Sequence, residues 1–194
     1  MSQASKQVEW CLKKAENEME ECKKAGKELK HSGLSKIRPN MAVAKAHIEK
    51  SERYLQITEY LKKGGFLDNC MGNIFYAMYH CLLSIAAKYG YDSGNQTCTI
   101  ALIEYLKEEG KIDIDSKFTE VFKYAESKQS EKESVIELRE KYTYGTDIKG
   151  NESDINKFSQ MAKELIGKTK GLYWCDFLLF LRPKRISLLF FISF

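Results

Sequence analysis

Residues 73–91 read NIFYAMYHCLLSIAAKYGY, and the fold turns on how they are read. From about Phe66 to Tyr89 there is no proline, and apolar residues fall at Leu67, Cys70, Met71, Ile74, Phe75, Met78, Cys81, Leu82, Ile85 and Ala86. Steps of three and four recur among them, which is helical periodicity. They cover most of the circumference, so this helix belongs at the buried centre of a bundle. A polar stripe nevertheless runs along it: Asn69, Asn73, Tyr76, His80 and Ser84, at steps of four, three, four and four. Those steps place all five on one face. Buried polar groups need partners, so the stripe either bonds across the bundle or lines a groove.

Outward from this centre the chain stays helical. A preceding helix over about 41–63 shows Val43, Ala46, Ile48, Tyr54, Leu55, Ile57 and Leu61, and Gly64-Gly65 ends it. Residues 5–30 form a charged rod with a narrow stripe at Val8, Cys11, Leu12, Ala15, Met19 and Cys22, and 31–40 is a break. On the other side GYDSGN (90–95) reads as a turn, and a short helix over 96–109 is closed by Gly110. Residues 115–144 lack Gly and Pro and read as one long helix or two collinear ones, stopped by Gly145. A last helix is expected over 153–167, and no stretch alternates as a strand would. The tail, 171–194, is aromatic and apolar around Arg182-Pro183-Lys184-Arg185, and its two runs are too short to span a bilayer. It reads as a C-terminus replaced by unrelated coding sequence, with membrane tethering the weaker account. The resulting division is a charged helix and linker over 1–39, a helical domain over 40–170, and the tail.

Charge limits the partners. Residues 1–170 carry 28 Lys and Arg against 26 Asp and Glu, far from the basic footprint of a protein that holds nucleic acid by bulk charge. Any such contact has to be local. The six cysteines form no CxxC pair and the histidines lie apart at 31, 47 and 80, so neither a zinc site nor another cofactor is expected. The cysteines read as reduced thiols and the chain as cytoplasmic.

The pattern from Asn73 to Tyr91 resembles the second core helix of the HEPN domain, the "higher eukaryotes and prokaryotes nucleotide-binding" family: an aromatic pair, Ala-Met-aromatic-His, then a small apolar run ending in Gly. Residues 42–70 are similar to that family's first helix and connection, and the later helices follow its order, so the likeness covers about 40–168. It implies an all-α fold with an up-down four-helix core, here with an additional N-terminal helix. It also implies a homodimer and binding of RNA or nucleotide. Many members are metal-independent ribonucleases in toxin–antitoxin or defence systems, and others are non-catalytic modules encoded beside a nucleotidyltransferase.

The family's catalytic signature is an Arg, four to six residues, then a His. The stretch ELREKYTYG (137–145) supplies Arg139, but Tyr144 stands where the His would be and no His follows. Metal-free RNA cleavage needs a base and a cation to hold the phosphorane charge. Arg139 suits the second role, whereas a phenol, protonated at neutral pH, replaces imidazole poorly. His80 is the other candidate base, although a histidine in an apolar helix is ordinarily a hydrogen-bonded core residue. The leading expectation is a HEPN protein lacking the catalytic His that binds RNA or nucleotide beside a nucleotidyltransferase partner. Arg139 would hold phosphate and Tyr144 would stack, with Tyr142, Tyr76 and Asn73 as further binding candidates. Two alternatives stand: an endoribonuclease using Arg139 with His80 or Tyr144, and a structural interaction module.

Overall fold

In the computed structural model, residues 1–123, 134–146 and 148–180 are described, the last seven by backbone alone. Seven α-helices are seen: α1 (Gln3–Lys24), α2 (Met41–Lys63), α3 (Cys70–Lys88), α4 (Gln96–Glu108), the single turn α5 (Lys117–Glu120), α6 (Val135–Tyr144) and α7 (Glu152–Phe180). Their starts are written locally. Asn40 accepts the Val43 N–H (3.1 Å) and Asn95 the Cys98 N–H (2.8 Å). Ser134 and Glu137 form a capping box at α6. Each such cap satisfies a helix N–H that has no partner within the helix, and contributes about 1 kcal/mol.

As its periodicity predicts, α3 is the centre. It packs on α2 most extensively, then on α7, α6 and α4. Met71, Ile74, Met78, Leu82 and Ile85 are fully enclosed, and Phe118, Phe158 and Leu102 meet them from α5, α7 and α4. With its preceding turn, α3 is long and apolar enough to cross a membrane, yet most of it is buried inside the bundle.

Several expectations need correcting. The buried face of α2 is Ala44, Ile48, Ser51, Leu55 and Thr58, while Val43 and Ala46 are exposed. Ser51 fits because its hydroxyl donates to the Ala77 carbonyl at 2.6 Å, so a polar residue is accommodated between α2 and α3. The break at 31–40 and the turn at 90–95 contain a two-stranded antiparallel sheet, β1 (Leu34–Lys36) with β2 (Tyr91–Ser93). Three-residue strands are too short for alternation to show. Gly90 makes the junction, with φ +80° and a backbone so close to Ile37 that a Cβ would lie 2.8 Å from its carbonyl oxygen. The last helix does not stop near 167 but continues to Phe180. The middle of the expected 115–144 helix and the tail beyond Phe180 lie outside the described residues.

The expectation of six thiols fails at Cys11 and Cys98, which form a disulfide across 87 residues of sequence. The stripe Val8, Cys11, Ala15 of α1 packs on α4 and brings the two Cα atoms to 5.8 Å. Only that packing pairs them, and no spacing in the sequence records it. Ser32 adds a second tie, since its N–H and hydroxyl both donate to the Glu18 carboxylate and hold it below its usual range.

Candidate functional site

The polar stripe of α3 bonds across the bundle over part of its length and reaches the surface at Tyr76. At its C-terminal end it bonds across the bundle: buried Ser84 donates to the Ala44 carbonyl (2.6 Å) and bonds Tyr173 of α7. At its N-terminal end Asn73 donates to the Asn69 carbonyl of its own chain turn (2.9 Å). Tyr76 is 42% exposed, a large ring left at the surface.

Between these ends lies a cluster made with α2. Its residues His47, Lys50 and Tyr54 follow steps of three and four, so they form one ridge facing Tyr76 and His80. His47 Nδ1 and His80 Nδ1 are 2.9 Å apart, which requires one ring to donate and the other to accept. Tyr54 stacks with His80 (5.5 Å between centroids, 18°) and with Tyr76 (5.5 Å, 26°). Lys50 Nζ lies 5.8 Å from the Tyr54 ring centroid. Burial, then His47, then Lys50 push His80 down to about 4, and burial lowers His47 against the opposing charge of Asp92. Both imidazoles are therefore neutral at neutral pH. Between Asp68 and Lys88 the chain has no charged residue, so the aromatic row, exposed at Tyr76 and half-buried at Tyr54 and His80, lies along an uncharged stretch of helix.

The α6 residues are placed elsewhere. Arg139 stacks its guanidinium 4.4 Å from the Phe75 ring centroid, and pairs with the adjacent Glu140 at 3.2 Å. Its side chain is 21% exposed, and its Nε is buried without a hydrogen-bond partner. Phe75 and His80 are five residues apart on α3, hence about 140° apart around it. Arg139 and His80 thus contact different sides of one helix. Tyr142 packs on the core, and its hydroxyl accepts the Asn151 N–H at 3.1 Å, fastening the loop after α6. Tyr144 is 79% exposed at the helix end, and Gly145 caps the helix as expected. Among the described residues no three His, Cys, Asp or Glu side chains gather as metal ligands.

A family model for the HEPN domain matches residues 44–172. The chain belongs to the HEPN domain family. No curated protein matches it. In this HEPN chain the match begins within α2 and ends within α7, so α1 and the β1 strand lie before the matched region. The cluster at His47, Tyr54 and His80 lies inside it. Sequence reasoning picked out His80 and Tyr76 but not His47, Lys50 or Tyr54. The ridge spacing on α2 is the available signal; of its three residues only Tyr54 belongs to the apolar face that the sequence suggests.

Proposed function

We propose that this HEPN protein binds RNA or a nucleotide, and that the face shared by α2 and α3 is where it does so. The observation that carries the reading is the stacked row Tyr76–Tyr54–His80, with His47 and Lys50 beside it. Aromatic faces accept any base by stacking, and a lysine ammonium supplies a point charge for phosphate. A near-neutral protein cannot rely on bulk charge, so it needs such a local platform. Asn73 adjoins the exposed end of the row.

The reading divides the residues expected from sequence. Tyr76, Asn73 and His80 belong to the platform. Arg139 and Tyr142 hold α6 and its following loop in place, and Tyr144 is the exposed ring left to meet a ligand there. The protein is then a binding member of the family without the catalytic His, since no His follows Arg139 and His80 is bonded to His47. It works as a homodimer in a toxin–antitoxin or defence-type pair with a nucleotidyltransferase, as its family suggests.

Fluorescence anisotropy with a short labelled single-stranded RNA, and competition by ATP, test the binding. Tyr76→Ala is expected to weaken it roughly tenfold or more. If neither RNA nor nucleotide binds, the chain is a structural interaction module and the reading fails.

A further inference from the structure

The contact between His47 and His80 does more than fix two rings. With Nδ1 atoms 2.9 Å apart, the pair holds one proton on the line between them and carries no charge. The groups facing it are Lys50 and Tyr54 from α2 and Asp92 from β2. Asp92 is the anion among them, and it is already bonded to His31 Nε2 at 3.0 Å. An additional proton on the pair, which would make one ring an imidazolium, is opposed by burial, by the neighbouring ring and by Lys50, and favoured by Asp92 alone. Both rings of the pair are only half-buried.

A phosphate oxygen arriving there would change the balance. It accepts from an imidazolium N–H, replaces the hydrogen bond that the second ring supplied, and offsets the charge of Lys50. We propose that the His47–His80 pair is a proton-coupled phosphate site, taking up one proton from solvent as the phosphate of a bound nucleic acid or nucleotide docks against it. This rests on the binding reading above and adds its linkage to pH. Before binding, each neutral ring carries one N–H, one of which lies on the line between the two Nδ1 atoms; afterwards one ring is an imidazolium, three N–H protons are held in all, and the added charge faces the phosphate. The device also makes the platform selective for phosphate over apolar or aromatic partners, because only an anion offsets the added proton's charge.

The test is calorimetry of short single-stranded RNA binding in two buffers of different ionisation enthalpy, with anisotropy measured from about pH 8 to about pH 6. Net uptake of up to one proton is expected, and affinity should rise by up to about tenfold for each pH unit lowered. His47→Gln and His80→Gln keep a hydrogen-bonding group without a titrating one, and each should abolish the slope, whereas His31→Gln should retain it. Uptake needs only the unsubstituted protein, so a variant that folds poorly does not remove the test. A parallel titration with ATP separates the sources: the same linkage with ATP supports a mononucleotide phosphate, and linkage with RNA alone supports a polymer backbone. RNA binding without proton uptake, or a slope surviving in both variants, overturns the inference while leaving the binding reading intact. No binding at any pH overturns both.

Discussion

The α2–α3 face and the end of α6 carry the same kinds of side chain and do different things with them. On the α2–α3 face, Tyr54, Tyr76, His47 and His80 touch one another, and the row reaches solvent at Tyr76. On α6, Arg139 is spent on Phe75 and Glu140, and the Tyr142 hydroxyl on a loop N–H. The residue types at α6 are the better match to a phosphate-and-base site, yet their contacts are mostly inward. What separates the two regions is direction: the α2–α3 row ends at solvent in Tyr76, whereas the Arg139 guanidinium and the Tyr142 hydroxyl are turned to Phe75 and to a loop N–H.

Phe75 is the residue that joins the two regions, because Arg139 lies on its face, Tyr76 meets its edge, and Phe122 and Tyr79 pack beside it. Phe75→Ala should therefore produce the largest effect, a loss of about 3–5 kcal/mol in denaturant unfolding, with RNA binding weakened at the same time. If binding falls with no change in stability, the two regions are not joined through this ring. Tyr54→Ala sharpens the contrast, since it removes the middle ring of the row. Affinity for labelled RNA should drop by an amount equivalent to about 1–3 kcal/mol, measured by anisotropy. Arg139→Ala should cost about 1 kcal/mol of stability through the lost guanidinium–ring contact and leave RNA affinity unchanged. An unchanged melting temperature with lost binding would reverse the assignment of the two regions.

A separate effect is expected on acid stability. His80 is held down to about 4 in the fold against the ordinary 6.5, so the unfolded chain binds more protons in that interval. Stability should fall as pH drops from about 6.5 towards about 4, then stop responding to this group. His80→Gln should flatten that decline in urea unfolding, whereas Tyr144→Ala, at the exposed end of α6, should not alter it.

The family and the central helix were legible in 73–91 because one residue after another there obeys the same period. The polar stripe was legible for the same reason, and Ser84 and His80 both proved to bond across to α2. His47 and Tyr54 were not legible as site residues. Their meaning depends on which face of α2 turns to α3, and Ser51 and Thr58, two polar residues, set that face. Arg139 was legible as a cation at a helix end, but its shelf, Phe75, is distant in sequence. The Cys11–Cys98 bond and the β1–β2 pairing were hidden likewise, since each depends on contacts among segments far apart in the chain.

Photocrosslinking of thiouridine-containing single-stranded RNA to the protein, with the adducts located by mass spectrometry, tests the central claim most directly. Crosslinks on α2 and α3 peptides, at Tyr54, Tyr76 and the residues beside them, are the predicted result. Crosslinks confined to the Val135–Tyr144 helix, with none on α2 or α3, would contradict it.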